Sequence, residues 1–127
     1  MPLLQTVGSQ PEHYQDAHLH LDFQRKTAAL DLERLRLTRK EYELLAMLVQ
    51  HAGEIVARED LLQRIWGYST QIRTRTLDVH IRRLRRKLGE HAELYIETIF
   101  GIGYRFQPYR AHLAAPRTMS PVYAVGA

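Results

Sequence analysis

The chain has 127 residues, 45% of them hydrophobic and 25% charged, which is the composition of one globular domain of ordinary size. It contains no cysteine, so disulfides, cysteine-type zinc fingers and thiol catalysis are excluded, and a reducing cytoplasm is compatible. No apolar run approaches the roughly 20 residues that span a bilayer, and the N-terminus lacks a signal-peptide pattern, so we expect a cytoplasmic protein without a membrane partner.

The first part of the chain is predicted to be a flexible leader followed by short strands. Residues 1–17 contain glycine and proline, show no hydrophobic period, and are interpreted as a leader or linker. Apolar residues then alternate over 18–24 and again over 27–37. Three or four short strands separated by polar turns fit this alternation better than a helix does.

Two histidines in the first predicted strand are candidate metal ligands. His18 and His20 are two residues apart, so they share one face of a strand. No third ligand of a suitable type lies near them in sequence, and the other histidines are scattered. An ordinary solvent-facing strand edge is therefore favoured, and neither a metal site nor a cofactor is predicted.

At Thr38 the hydrophobic period changes to that of a helix. Thr38 and Glu41 have the spacing of a capping box, in which each side chain accepts a hydrogen bond from the other residue's backbone N–H. A core-facing stripe follows before the helix ends at Ala52-Gly53. Its members are Tyr42, Leu44, Leu45, Leu48 and Val49.

A second helix is predicted from about Arg58 to Trp66, with Gly67 as its stop signal. Its inward residues are Leu61, Leu62, Ile65 and Trp66. The single tryptophan can serve as a functional platform, but its helical spacing from Leu62 favours core packing. Ile55 and Val56 are interpreted as a short extended link ahead of this helix.

The most charged part of the chain, Arg73 to Gly89, is predicted to be a third helix with two opposite faces. The core side is an apolar stripe of Leu77, Ile81, Leu84 and Leu88. The far side carries Arg75, Val79, Arg82, Arg83 and Arg86. Thr76 and His80 flank one edge of the far side, and Gly89 supplies a stop signal.

This concentration of positive charge is more informative than the overall net charge of +4. Like charges so close repel, so the helix needs solvent screening or an anionic partner. A solvated surface helix is the simpler alternative. Three features favour nucleic acid: the planar arginine fork matches phosphate or guanine, Val79 can meet a thymine methyl, and Thr76 can reach a phosphate.

A polar turn and a hairpin are predicted after Gly89. Two β-rich runs, Tyr95–Phe100 and Tyr104–Phe106, flank a Gly-Ile-Gly sequence that reads as a hairpin turn and not a nucleotide loop, because no helix follows it. Residues 108–127 have no period and are interpreted as a mobile tail, which places the domain at 18–107. The element order predicts an α+β winged helix-turn-helix with an N-terminal antiparallel sheet, a three-helix core and a C-terminal β-hairpin wing.

Four motifs occur in order along the chain: 37–45 (Leu-Thr-x-x-Glu-Tyr-x-Leu-Leu), 53–67, 75–88 and 101–106. Together they resemble the DNA-binding domain of OmpR/PhoB-type response regulators of two-component systems, over about His18 to Phe106. Each motif alone is moderately specific, and the four at these spacings are highly specific. The resemblance implies a four-stranded N-terminal sheet, a three-helix core and a hairpin wing.

The resemblance also implies a mode of action, in which the third helix enters the major groove of double-stranded DNA and the hairpin approaches the adjacent minor groove. The expected DNA contacts are Arg73, Arg75, Thr76, Val79, His80, Arg82, Arg83, Arg86 and Arg105. The loop between the second and third helices is expected to touch RNA polymerase through Tyr68, Ser69, Thr70, Gln71 and Ile72. We expect a monomer in the free state and a tandem dimer on DNA.

Three features depart from the family pattern. The sequence has no room for the usual receiver domain, which fits either an excised effector domain or a regulator that lost its receiver. Phe100 stands where the family often has the arginine that enters the minor groove. Arg73 and Thr74 stand where an acidic residue commonly precedes the Arg75-Thr76 pair, so the loop is more basic than expected.

The leading prediction is sequence-specific DNA binding by a transcriptional regulator. The alternatives are a winged-helix protein-interaction module, which predicts a mixed or apolar exposed face, and a nonspecific DNA-binding protein. No enzyme and no catalytic residue is predicted. The sequence offers no paired carboxylates on one element, no glycine-rich phosphate loop at a strand–helix junction, and no nucleophile with a base at useful spacing.

Overall fold

The computed structural model of the chain describes residues 12–67 and 74–110. The strands are β1 (His13–Gln15), β2 (Leu19–Asp22), β3 (Thr27–Leu30), β4 (Glu33–Arg34), β5 (Ile55–Ala57), β6 (Ile96–Ile99) and β7 (Gly103–Phe106). The helices are α1 (Arg39–Gln50), α2 (Arg58–Trp66), α3 (Thr74–Leu88) and, after a 3-10 turn at Gly89–His91, α4 (Ala92–Tyr95). Within these two ranges, no helix is long and apolar enough to cross a membrane.

The N-terminal strands form an antiparallel sheet in the order β1-β2-β3-β4, as predicted. The predicted domain start at His18 is wrong, however, because β1 lies inside the supposed leader and pairs with β2. Tyr14 is the one inward side chain of this three-residue strand, and its ring meets the edge of Phe106 at 5.4 Å between centroids. A strand with a single inward residue shows no period in the sequence.

A carboxylate from the supposed leader joins both ends of the domain. Asp16 Oδ1 accepts a hydrogen bond from the Tyr95 hydroxyl at 2.6 Å, and Asp16 Oδ2 accepts one from the backbone N–H of Tyr109 at 3.2 Å. Burial alone would raise the pKa of Asp16, but the hydrogen bonds it accepts from Leu19, Tyr14 and Tyr95 hold it below the ordinary value. Tyr109 packs on the core, so the supposed tail also begins too early, at residue 108.

The first helix matches its prediction. Both hydrogen bonds of the capping box are present, from Glu41 N to Thr38 Oγ1 at 3.2 Å and from Thr38 N to Glu41 Oε1 at 2.9 Å. All five residues of the predicted stripe are buried. The apolar stripe of α3 is likewise buried in the core, and the helix packs against α1 and α2.

The segment after α3 differs from its prediction. Gly89 does end the helix, with φ at +62°, in the left-handed region that favours glycine. The predicted polar turn is a 3-10 turn followed by α4, and Tyr95 belongs to that helix and not to the first strand of the hairpin. Ala92 and Tyr95 are buried one turn apart, which is too short a repeat to show a helical period.

The wing is a three-stranded sheet in the order β5-β7-β6, because the predicted extended link at 55–57 pairs with β7. Val56 lies opposite Tyr104, and Ala57 lies opposite Gly103. A Cβ atom at Gly103 would collide with the backbone oxygen of Val56, so only glycine allows the two strands to approach this closely. The third strand anchors the hairpin directly to the start of α2.

Candidate nucleic-acid interface

Four arginines of α3 form an exposed surface opposite its buried stripe, and we call this set the arginine face: Arg75, Arg82, Arg83 and Arg86. Val79 lies among them, half-buried. None of the four makes a hydrogen bond or ion pair with another residue in 12–67 or 74–110. The two-sided helix predicted from the sequence is confirmed. Arg73 and the predicted polymerase loop at 68–72 lie outside the described residues.

The other cations of the helix are held by the protein itself. The Arg85 guanidinium donates to the backbone oxygen of Ile96 at 2.9 Å and to the Thr98 hydroxyl at 2.7 Å. It also lies over the Tyr104 ring, 5.8 Å from the centroid. Arg85 therefore holds the hairpin against α3, and its charge is not free for a partner.

Lys87 is anchored to α1. Its Nζ donates to Glu41 Oε1 at 2.6 Å and to the backbone oxygen of Arg36 at 2.7 Å. Glu41 is only 1% exposed. Its burial opposes ionisation, yet the hydrogen bonds from Lys87 and the Thr38 backbone keep the pKa of Glu41 below the usual value. This pair fixes the C-terminal turn of α3 on the core.

Asp78, the one acidic residue of α3, joins three elements. Its Oδ1 lies 2.9 Å from Arg58 Nη2 of α2 and accepts a hydrogen bond from the Tyr104 hydroxyl of β7 at 2.8 Å. The hydrogen bond from Arg58, with help from Tyr104, holds the pKa of Asp78 below its ordinary value. Burial and the hydrogen bond between Tyr104 and Asp78 raise the pKa of the Tyr104 phenol. The hydrogen-bonded partners of Asp78 are thus Arg58 and Tyr104, and Arg82 of the arginine face acts on it only through the weaker coulombic attraction.

His80 and Thr76, both predicted DNA contacts, lie at the half-buried edge of α3. His80 Nδ1 donates to the backbone oxygen of Thr76 at 2.8 Å, and its ring stands edge-on to Trp66 at 4.9 Å between centroids. Trp66 packs against the core, as predicted, with the Lys40 ammonium 5.9 Å from the centre of its ring. His80 is therefore half-buried and held by Thr76 and Trp66.

The wing was expected to offer Arg105 to DNA, but this arginine is paired within the wing and the tip of the wing is apolar. Arg105, a predicted DNA contact, forms an ion pair with Glu97 on the neighbouring strand, with Nε and Nη2 at 2.9 and 2.8 Å from Oε1. At the wing tip, Phe100 is 89% exposed and Ile102 is 52% exposed. The side chain of Phe100 points outward and does not steady the hairpin from within.

The sequence did not identify Arg58 as part of this region. Arg58 and Asp78 are 20 residues apart on two helices, and no local pattern joins them. The sequence contains one weak indication of a partner for Asp78, since this aspartate is the single acidic residue beside seven cations in residues 73–89. The roles of Arg85 and Lys87 as structural cations were equally hidden, since helical spacing alone does not separate bound cations from free ones.

Three helices, an antiparallel N-terminal sheet and a hairpin packed on the third helix define a winged helix-turn-helix domain. The family described as "Transcriptional regulatory protein, C terminal" matches residues 32–106, and the chain belongs to this family. The solved structures that the chain is similar to include one described as an OmpR/PhoB homolog, and with the family match this confirms the predicted family.

Individual relatives agree with this placement. The probable transcriptional regulator ycf27 of Cyanophora paradoxa is 41% identical over 110 residues, covering 84% of this chain and 46% of the relative. The response regulator DrrB of Thermotoga maritima superposes with a TM-score of 0.71 at 33% identity, covering 77% of this chain and 45% of DrrB. The Klebsiella pneumoniae RstA DNA-binding domain, solved in complex with RstA box, gives 0.70 at 31% identity, covering 78% of this chain and all of that one (100%). The chain spans just under half of ycf27 and of DrrB.

Proposed function

We propose that the chain binds double-stranded DNA sequence-specifically, as the DNA-binding part of a transcriptional regulator of the OmpR/PhoB type. In this proposal, α3 enters the major groove and the wing lies near the minor groove. The arginine face carries the argument, because four exposed guanidinium groups lie on one side of a helix whose other charged residues are paired internally.

The shape and charge of α3 suit a DNA groove. Its 15 residues make a rod of about 22 Å, and the major groove, about 12 Å wide, admits one helix. Arg82 and Arg83 lie near the middle of the helix, where base edges come within reach. Arg75 and Arg86 lie nearer its two ends, where the phosphate backbones run. The RstA domain, whose fold this chain shares, was solved with a DNA site.

Protein binding is the weaker alternative. A helix that docks on a protein surface needs an apolar or mixed exposed face, whereas the exposed side of α3 has Val79 as its single apolar member. Nonspecific DNA binding would use the same arginines, but it requires no close fit of the helix. The Asp78, Arg85 and Lys87 contacts hold α3 in one orientation, and such preorganisation favours readout of bases.

The experiment is selection of bound sites from random duplex DNA, followed by titration of the recovered site and a scrambled one at several salt concentrations. Specific binding predicts an enriched motif and an affinity ratio of at least about 10³ between the two sites. Tight binding without an enriched motif would assign the nonspecific alternative, and no binding to any duplex would reject the proposal. Arg25→Ala, which removes an exposed arginine in the β2–β3 turn, is the matched control for charge.

The proposal includes a monomer in solution that pairs in tandem on DNA. The α3 arginines repel a second copy of the same face, and DNA phosphates remove that repulsion. Sedimentation at micromolar concentration is expected to give a single monomeric species, and two protomers on a DNA carrying a direct repeat. A stable dimer without DNA would contradict this part.

A contact with RNA polymerase through residues 68–72 belongs to the same proposal, and its test is retention of DNA binding with loss of activation when these residues are replaced by alanine.

A further inference from the structure

Three side chains that are distant in sequence meet beside the N-terminal sheet. His18 lies in the turn before β2, Asp31 in the β3–β4 turn, and His91 in the 3-10 turn that follows α3. His18 Nδ1 is 2.6 Å from Asp31 Oδ1, and His91 Nε2 is 3.2 Å from Asp31 Oδ2. One ligand atom from each side chain lies within 4.8 Å of the other two. We call these three residues the His-Asp-His cluster.

We propose that the His-Asp-His cluster binds a divalent transition-metal ion of the zinc type. Two imidazoles and one carboxylate form a donor set that such ions favour, and zinc sites with three protein ligands keep a fourth position for water. Zinc–nitrogen bonds of about 2.0–2.1 Å place neighbouring tetrahedral ligands about 3.3 Å apart. The present separations, between 2.6 and 4.8 Å, bracket this value, so small side-chain rotations are enough to form the site.

The three ligands are positioned by their surroundings. The rings of His18 and His91 stack at 4.2 Å between centroids, and Tyr109 packs edge-on against His18 at 4.6 Å. The backbone N–H of Asp31 donates to the backbone oxygen of His18 at 2.7 Å, which ties the two turns together. Asp31 itself has φ at +51°, in the left-handed region. Its carboxylate lies between the two imidazoles, with Oδ1 toward His18 and Oδ2 toward His91, so all three side chains face one ion position.

Access and charge also suit an ion. Asp31 is 53% exposed in its side chain while His91 is only 12% exposed, so the cluster opens to solvent on one side and is closed on the other. The carboxylate of Glu90 lies 4.0 Å from His91 Nε2 and adds negative charge beside the site. His20, which the sequence paired with His18 as a candidate ligand, does not belong to this cluster among residues 12–67 and 74–110, and its ring stacks on His13 at 5.4 Å between centroids.

A bound ion would connect the sheet to the end of α3. His91 follows the last residue of that helix by three positions, whereas His18 and Asp31 belong to strand turns. The ion would therefore cross-link elements that are 60 residues apart in sequence, between Asp31 and His91. Ions that bind only the folded form stabilise it by mass action. The expected consequence is a more stable domain, whether or not DNA is present.

The test is titration of the tag-free 127-residue chain with ZnCl₂, followed by calorimetry and thermal unfolding, with MgCl₂ as the negative ion. We expect one zinc per chain and a rise in Tm of roughly 4–8 °C when free zinc is about five times its Kd. Asp31→Asn and His91→Gln are expected to weaken zinc binding at least about tenfold, since each removes one of three ligands. Asparagine tolerates the left-handed backbone at position 31, so that variant should keep the fold.

His20→Gln is the matched control, because it removes a histidine of the same sheet outside the cluster. Circular dichroism and DNA titration of each variant establish that it is folded. Cobalt(II) absorption gives an independent readout, since a tetrahedral site with nitrogen ligands produces a visible band that Asp31→Asn and His91→Gln should abolish. Zinc binding that is absent, or that survives both variants, or that His20→Gln removes instead, would overturn the assignment. DNA binding that persists in each of those cases would leave the proposed function intact.

Discussion

The hydroxyl of Tyr104 donates a hydrogen bond to Asp78 Oδ1 at 2.8 Å, which ties the central strand of the wing to the helix that carries the arginine face. The guanidinium of Arg58 completes the group from α2. The two surfaces proposed to meet DNA are therefore joined by one carboxylate. Substitutions at Tyr104, Asp78 or Arg58 should therefore change the angle between α3 and the wing, while the exposed residues of both surfaces stay the same.

The first prediction concerns this bond. Tyr104→Phe removes the phenolic hydroxyl that donates to Asp78 Oδ1, so the free energy of unfolding should fall by about 1–2 kcal/mol. The measurement is equilibrium unfolding in urea. Tyr42→Phe is the control, because its hydroxyl makes only a 3.3 Å contact with the backbone oxygen of Asp22 and should matter less. Equal losses in the two variants would mean that the Asp78 contact has no special role.

DNA binding should respond to the same change with a particular signature. If the bond only stabilises the fold, Tyr104→Phe will bind DNA as the parent does at temperatures where both are folded. If it orients the wing, affinity for the selected site should fall several-fold while affinity for scrambled DNA is unchanged. The second outcome is expected, since nonspecific contacts do not require a fixed angle between helix and wing.

The second prediction is a pH dependence carried by Glu41. The pKa of Glu41 in the folded protein lies below its ordinary value of about 4.3 because, against the effect of burial, Lys87 and the Thr38 backbone stabilise the carboxylate. The stabilisation is therefore complete above the unfolded-state pKa and is lost as pH falls through the lower, folded-state pKa. Glu41→Gln keeps the volume and the cap acceptor but loses the charge.

At pH 7 this variant should be about 1–2 kcal/mol less stable than the parent, a value reduced for the partial exposure of Lys87. The difference should shrink as pH falls from about 4.5 toward 2, because the parent then protonates Glu41 and loses the same interaction. Urea unfolding at a series of pH values measures both curves. A constant difference across that range would show that Glu41 is not the titrating group. Glu43→Gln on the same helix, where the carboxylate is more exposed, controls for helix charge.

The third prediction separates base readout from phosphate binding on the arginine face. Replacing an arginine that reads a base should cost about 1–3 kcal/mol and relax the preference at one position of the site. Replacing one that binds phosphate should weaken all sequences alike and flatten the salt dependence by about one unit. We expect Arg82→Ala and Arg83→Ala to show the largest losses among the four. If both titrate like the parent and like Arg25→Ala, α3 is not placed in the groove.

The sequence predicted the three longer helices, α1 to α3, well and the nonlocal pairings poorly, for one physical reason. The stripe from Leu77 to Leu88 repeats within a few residues, so its burial can be read from spacing. The pairing of Val56 with Tyr104 closes a loop of 48 residues, which no local period records. The ion pair between Arg58 and Asp78, and the meeting of His18 with His91, depend in the same way on where the fold carries each side chain.

Even within α3, the sequence separated the faces of the helix more clearly than the roles of its cations. Arg85 and Arg86 are neighbours with the same chemistry, yet Arg85 donates to the hairpin and Arg86 is exposed. The angular difference of about 100° between them turns one toward β6 and the other toward solvent. Without the position of β6, the sequence offered no basis for that distinction.

The last prediction concerns Phe100, which stands where the family often has an arginine. Phe100 is 89% exposed at the wing tip, next to Gly101 with φ at +78°, and the nearby Arg105 is paired with Glu97. The wing tip, residues 100–102, therefore presents an apolar surface without a cation. In the proposed docking it would offer no charge to a narrow minor groove, where negative potential is enhanced. We expect the protein to rely on the arginine face and to read little from the sequence beneath the wing.

Phe100→Arg should strengthen binding to sites that carry an A-tract under the wing, and should steepen the salt dependence by about one unit. Sites without the A-tract should gain less, since their minor groove is wider. Ile102→Arg, on the other side of Gly101, tests whether any cation at the tip suffices, and Phe100→Ala tests whether the ring itself contributes contact with sugars. Titration of the parent and the three variants on both sites measures these differences. The expectation would be contradicted if the parent already distinguishes the two sites as strongly as Phe100→Arg does. The aromatic ring would then read the groove without a charge, and the wing would itself contribute to specificity.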